Sequence, residues 1–213
     1  NLHQSSAMNG LATQFGESAA VLLGDLALVW SDQMLNTSGI STASLLAAHT
    51  IHDEMRVELM AGQYLDVREA GEKTYSAQRS LRIARYKSGK YTIERPLHIG
   101  AVIGNPTSHA PLLDALSRYG LPLGEAFQLR DDMLGIFGDP SITGKPAGDD
   151  LREGKRTVLV GLTRESLSPS VGAIFDEMLS SRNLTNEQIG FLQQTISGSG
   201  ALAKTERMIE ELA

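Results

Sequence analysis

The amino-acid sequence predicts an all-α chain, folded as a single-domain helical bundle around a central cavity. Three observations predict it. Apolar residues recur at steps of three, four or five along nearly the whole chain. No run of period-two alternation is long enough to build a sheet, and no internal repeat points to a solenoid.

Segment 16–35 is rich in Ala and Leu and ends at Asn36-Thr37-Ser38-Gly39, which reads as a C-cap. Segment 41–70 carries Leu45, Ala48, Ile51, Met55, Leu59, Gly62 and Val67 on one stripe, so it reads as one long amphipathic helix. Segments 72–87 and 91–104 follow as two helices, the second started or kinked near Pro96. Asn105-Pro106-Thr107-Ser108 is a turn. After it, 109–119 is expected as a short helix ending at Gly120, and 123–137 as the next. Gly138-Asp139-Pro140 stops that helix and opens a structureless stretch, 138–156. Helices over 157–167, 169–180 and 186–212 complete the bundle.

The totals narrow the function. A length of 213 residues supports one sizeable core, and 41% apolar with 21% charged residues is the composition of a soluble globular protein. A net charge of -6 argues against broad nucleic-acid binding, although a few lysines can still gather in one pocket. Cysteine is absent, which removes disulfides and thiolate metal sites and fits a reducing cytoplasm. No transmembrane segment is expected, because the best apolar run, 19–30, is broken by Gly24 and Asp25. The chain starts Asn1-Leu2-His3 without an initiator methionine or a signal pattern, so it is expected to begin partway into a longer protein.

The chemistry concentrates in Phe127-Gln128-Leu129-Arg130-Asp131-Asp132-Met133-Leu134-Gly135. An isolated Asp-Asp pair is ordinarily a solvated surface pair. Here apolar residues flank it on both sides, and helical spacing puts Gln128, Asp131 and Gly135 on one face with Asp132 beside them. Two carboxylates brought together raise each other's pKa unless a cation neutralises them. Oxygen-only ligands suit a hard divalent ion, and Mg2+ typically takes one or two carboxylates plus waters and substrate phosphates. Cations are at hand as well: Lys87 in Tyr86-Lys87-Ser88-Gly89, Lys145 in Thr143-Gly144-Lys145-Pro146, and Lys155 in Gly154-Lys155-Arg156. Glycine beside lysine allows close approach and a reaching ammonium, which suits a diphosphate. Gly138 to Lys145 is not a P-loop, since it is one residue too long and Pro146 stands where Ser or Thr must hold the metal. His49 and His52 lack the H-E-x-x-H spacing of a zinc site and read as solvated or helix-capping residues.

These residues resemble the polyprenyl synthetases, or trans-isoprenyl diphosphate synthases. Residues 127–132 look like that family's second aspartate-rich motif, and 144–157 resemble the loop that follows it. Gly24-Asp25, Gly62-Gln63-Tyr64-Leu65-Asp66 and Tyr86-Lys87-Ser88-Gly89-Lys90-Tyr91 are similar to three further segments in the same order. The wording is closest to actinobacterial-type geranylgeranyl or farnesyl diphosphate synthases. The resemblance implies a prenyltransferase that condenses isopentenyl diphosphate with an allylic diphosphate, with geranylgeranyl as the favoured product. Asp131 and Asp132 would hold Mg2+. Lys87 and Lys145 would bind the allylic diphosphate, with Ser88, Gln128 and Lys155 close by, and Gln63 and Asp66 would line the site. A cytoplasmic homodimer is implied too, with 16–35 and 49–67 apolar enough to pack an interface.

Two departures stand out. Gly135 occupies the position of the motif's usual third aspartate, and Asp139 is the carboxylate expected to compensate. The family's first aspartate-rich motif is absent, as are the upstream groups that bind isopentenyl diphosphate, which is read as truncation. Two other readings fit less well. A class I terpene cyclase would carry Ser or Thr and then Glu in its second motif, and a non-catalytic subunit of a heteromeric synthase would be expected to lose these aspartates and lysines.

Overall fold

The structure, a computed structural model, describes residues 12–72, 74–144, 146–181 and 183–213. Among the described residues every regular element is a helix and no strand occurs. None of these helices is long and apolar enough to cross a membrane. The chain divides into two compact units, Asn1–Leu46 and Ala47–Ala213. The boundary falls inside one continuous helix, so no turn or composition change marks it.

The first unit contains α1 (Ala12–Asn36) and the opening turn of α2 (Thr42–Ala70). α1 ends as its sequence predicts. The Thr37 and Ser38 hydroxyls donate back to the Gln33 and Leu35 carbonyls, and Gly39 takes the left-handed conformation at φ 77°. None of the α1 residues is buried, and Val21, Leu22, Leu23, Val29, Trp30 and Met34 are exposed.

The second unit has its core where α5 (Ala110–Phe137) meets the C-terminal helices α8 (Val158–Ser166), α9 (Pro169–Leu179), α10 (Asn186–Gly198) and α11 (Ala201–Leu212). Leu129, Ile136, Val158, Leu159, Phe175, Leu192 and Ile196 are fully buried there. Helix 186–212 was expected in one piece. It breaks at Gly200, whose φ of 79° no helix can carry through, and the Thr185–Gln188 capping box starts its first half.

The elements that carry the chemistry differ most from expectation. The helix expected from residue 72 begins later, as α3 (Ala77–Ala84), because the Ser76 side chain caps the Arg79 amide. No break follows at Ser88-Gly89. The chain widens instead into a ten-residue π-helical segment, Arg85–Glu94, and passes straight into α4 (Arg95–Gly104). Glycines permit this. A Cβ at Gly62 of α2 would lie 2.7 Å from the Tyr86 carbonyl carbon, and one at Gly124 of α5 would lie 2.6 Å from the Gly89 Cα. The π-helical segment is thus clamped between two helices at backbone contact.

α5 itself is one 28-residue helix rather than two. Gly120 is a packing residue there, its hydrogens facing the Glu94 backbone at a distance where a Cβ would sit 3.1 Å from Cα. Pro122 costs one hydrogen bond, which burial of Gly124, Ala126, Leu129, Met133 and Ile136 outweighs. The stretch 138–156 holds two single-turn helices, α6 (Pro140–Thr143) and α7 (Asp149–Arg152). Neither has the length for a periodic signal.

The clamp makes a prediction. Gly124→Ala should destabilise the protein by about 1–3 kcal/mol, the usual cost of overpacking, because the atoms it meets are backbone. Gly100→Ala on α4 meets nothing within 4 Å and should be neutral or stabilising by up to about 1 kcal/mol through helix propensity. Urea denaturation of the two variants measures the contrast, and equal midpoints would contradict the clamp.

Candidate active site

A cavity of about 190 Å³ opens in the second unit where α2, α3, the π-helical segment, α5, α7 and the approach to α8 converge. Asp66 comes from α2, and Ser80, Ile83 and Ala84 from α3. Lys87 and Ser88 come from the wide turns, Gln128, Asp131 and Asp132 from α5, Asp150 from α7, and Lys155, Arg156 and Thr157 from the chain entering α8.

On α5 the Gln128 amide donates to the Asp132 carboxylate at 2.7 Å, one turn apart. Asp132 is only 7% exposed. Burial pushes its pKa up to about 7, with the neighbouring charges of Asp150 and Asp131 adding to the shift against the Gln128 hydrogen bond. Asp131, by contrast, is exposed at the cavity mouth. Asp150 is buried and accepts a hydrogen bond from the Lys155 ammonium, which also reaches Glu153 at 3.0 Å. Burial opposes the charge on Lys155, but its bonds to Asp150 and Glu153 prevail and hold it well above the ordinary lysine range.

The cationic side is held from behind. Lys87 Nζ donates to Asp66 Oδ2 at 2.5 Å, so the α2 carboxylate anchors the ammonium at the cavity wall. The Arg156 guanidinium stacks over the Tyr75 ring at 4.5 Å, and its Nη2 donates to the Ser180 hydroxyl at 3.1 Å. Its Nε and Nη1 are buried and have no hydrogen-bond partner among the described residues. Ser80 pins the same residue by donating to the Arg156 carbonyl at 2.6 Å.

Asp66, Lys87, Ser88, Gln128, Asp131, Asp132 and Lys155 are therefore brought to one cavity. Two expected members are not among them. Gln63 is exposed on α2, away from the lining. Asp139 is exposed too, and its carboxylate caps α6 by accepting from the Ser141 amide and hydroxyl at 2.8 and 2.7 Å. Lys145 lies outside the described residues. His52 is buried and His49 half-buried in the interior of α2, so neither is the solvated or helix-capping residue the pattern indicated. Asp150, Arg156 and Ser80 went unassigned. The two charged residues stood in the basic and acidic loop, and nothing in the α3 stripe distinguished Ser80.

The lining offers donors that a hard divalent cation takes: the carboxylates of Asp66, Asp131, Asp132 and Asp150 share one cavity, and burial above all keeps Asp132 from ionising freely. The unpaired guanidinium nitrogens of Arg156 and the ammonium groups of Lys87 and Lys155 suit a polyanion beside it.

A family model described as polyprenyl synthetase matches residues 7–196. The geranylfarnesyl diphosphate synthase of Aeropyrum pernix is 34% identical over 151 residues, covering 68% of this chain and 46% of that protein. The geranylgeranyl diphosphate synthase of Mycobacterium tuberculosis is 32% identical over 146 residues, covering 68% of this chain and 41% of its own length. The chain spans about half the length of the curated relatives it matches. The crystal structure of geranylgeranyl pyrophosphate synthase from Corynebacterium glutamicum, complexed with isoprenyl diphosphate and magnesium, superposes with a TM-score of 0.91 at 40% identity. That match covers 99% of this chain and 59% of the other. A polyprenyl synthase of Caulobacter crescentus, complexed with calcium and isoprenyl diphosphate, gives a TM-score of 0.80 at 28% identity, over 94% of this chain and 58% of that one.

The state of Asp132 has a consequence for stability. Its pKa rises on folding from the ordinary 3.8 to about 7, so between those values the folded chain holds a proton that the unfolded chain has released. By linkage its contribution becomes less favourable as pH rises through that window and stays unfavourable above it. Asp132→Asn removes the term. The melting temperature of the variant relative to wild type should therefore climb between about pH 4 and about pH 7 without divalent metal, and less steeply with it. A difference independent of pH would contradict the raised pKa.

Proposed function

Because the chain belongs to the polyprenyl synthetase family, we propose that it carries the diphosphate-ionising half of a short-chain trans-prenyl diphosphate synthase. This enzyme would be a prenyltransferase that lengthens an allylic diphosphate with isopentenyl diphosphate. The observation that carries the reading is the meeting of a carboxylate cluster with Lys87, Lys155 and Arg156 in one cavity. Its relatives' names favour geranylgeranyl as the product, with farnesyl the next choice. Mg2+ is the cation proposed, since oxygen-only donors suit it and a relative was crystallised with it.

Asp131 and Asp132 would hold the metal, which when bound neutralises charge on the departing diphosphate. The remaining work falls to the chain. Lys87, fixed by Asp66, and Lys155, fixed by Asp150, would bind the allylic diphosphate as point charges already in place, so no reorganisation is needed as negative charge grows on it. The allylic C–O bond breaks with its electron pair leaving on the diphosphate. The double bond of isopentenyl diphosphate then attacks the allylic carbon, and the proton lost from the new cation goes to the released diphosphate. No side chain acts as nucleophile. Ile83 and Ala84, both buried at the cavity wall, keep part of the lining apolar and limit water near the cation.

The reading extends to a cytoplasmic homodimer. The exposed apolar residues of α1 suit association with a second copy, and gel filtration with light scattering tests that.

The activity is tested with the full-length protein, labelled isopentenyl diphosphate, Mg2+, and dimethylallyl, geranyl or farnesyl diphosphate in turn. The dephosphorylated products are then separated by chain length. A C20 alcohol is expected, abolished by chelator and by Asp131→Ala. Lys87→Ala should lower kcat/KM by about 10²–10³, the usual cost of one preorganised group. A folded protein that elongates no primer would overturn the reading.

A further inference from the structure

We propose that Asp150 is the third carboxylate of the cation and diphosphate site, seated where a side chain at position 135 would project, and that Gly135 is there to admit it. The inference rests on the synthase reading above and names a positioning residue for it.

The geometry is specific to this pair. Gly135 lies one turn beyond Asp131 and Asp132 on α5, on the face shared with Gln128 and Asp131. A Cβ built there would overlap the Asp150 carboxylate, with its Cγ only 2.6 Å away, and the three nearest atoms all belong to Asp150. A carboxylate therefore stands in the space of a residue-135 side chain, but it is delivered from α7 instead of α5. Asp150 also lines the adjoining cavity together with Asp131, Gly135 and Lys155. Its charge acts on Asp132 more strongly than that of Asp131, the chain neighbour.

The turn that delivers Asp150 is anchored at several points. Leu151, next in sequence, is fully buried in the core. Arg152 donates to the Ala147 carbonyl and to Asn186 at the start of α10, both at 2.9 Å. Gly148 takes φ 77° where a Cβ would come within 2.6 Å of Ile189. With its neighbours fixed, Asp150 accepts a hydrogen bond from Lys155. The carboxylate thus adds a third negative charge to the cation side and holds the ammonium on the diphosphate side. Asp139, nearer in sequence, is engaged in the α6 cap.

The test measures Mn2+ binding in the presence of inorganic pyrophosphate, by calorimetry and by the manganese electron-spin signal, on the full-length protein. Four variants are compared with wild type: Asp131→Ala, Asp150→Ala, Gly135→Ala and the relocation Gly135→Asp with Asp150→Ala. Thermal melts of each report folding. Asp150→Ala should weaken manganese binding about 10- to 100-fold, the range for a group that supports a metal's ligands. Gly135→Ala keeps every carboxylate but crowds Asp150, and should also weaken it. The relocation returns a carboxylate to the same space from α5 and should recover most of the loss, which a purely structural role for Asp150 would not allow.

Wild-type affinity in Asp150→Ala, or a relocation variant no better than Asp150→Ala, overturns the assignment while the synthase reading stands. Failure of the wild-type protein to bind manganese with pyrophosphate overturns the synthase reading itself, and Asp131→Ala marks that difference.

Discussion

Backbone contact between helices is the constraint on which the site depends. Gly62 of α2 meets the Tyr86–Lys87 peptide and Gly124 of α5 meets Gly89, so the wide turns between them have no freedom to shift. A π-helical turn is otherwise a poor use of hydrogen bonds, and it persists where tertiary packing enforces it. Its effect is to set Lys87 against Asp66 on one side while Ser88 and α5 face the same cavity on the other. Lys87 and the α5 aspartates lie far apart in sequence, and these glycines bring them to one cavity.

Such an arrangement stores electrostatic tension. Asp132 is buried beside Asp150 and Asp131, and the hydrogen bond it accepts from Gln128 does not offset the loss of water. Lysines relieve part of this from the flanks. Lys155 is shared between Asp150 and Glu153, and Lys87 is bound to Asp66, so each cation has an anionic partner before any ligand arrives. Preorganised charge of this kind costs folding stability and repays it at the moment negative charge moves. A divalent cation among the carboxylates, with a polyanion against the ammonium groups, would satisfy both sides together.

Much of this was legible in the sequence because helical periodicity is a strong local signal. The apolar stripe over 41–70 predicts α2 to within one residue, and the motif pattern points to Asp131, Asp132, Gln128, Lys87, Lys155 and Asp66, all of which line the cavity. The failures share a cause. Gly120 reads as punctuation, since glycine usually ends helices, yet here it lets another backbone approach. That distinction depends on which helix passes by, which no window of sequence contains. The opposite error occurred at Gly200, where apolar spacing ran on through a residue whose φ of 79° ends the helix.

Asp150 shows why the compensating carboxylate could not be found by proximity in the chain. Asp139 is four residues from Gly135, and Asp150 is fifteen away across two single-turn helices. A carboxylate close in sequence must first find its own backbone geometry, and Asp139, placed just before Pro140, gains more by capping the turn it begins. Asp150 sits inside a turn anchored by its neighbours Leu151 and Arg152, which leaves its carboxylate free to serve the cavity. Replacing an aspartate on α5 by one on α7 keeps the charge in place but changes what holds it. The third carboxylate then depends on the packing of α7 against α10, and the cation site becomes coupled to the fold of the loop that also carries Lys155.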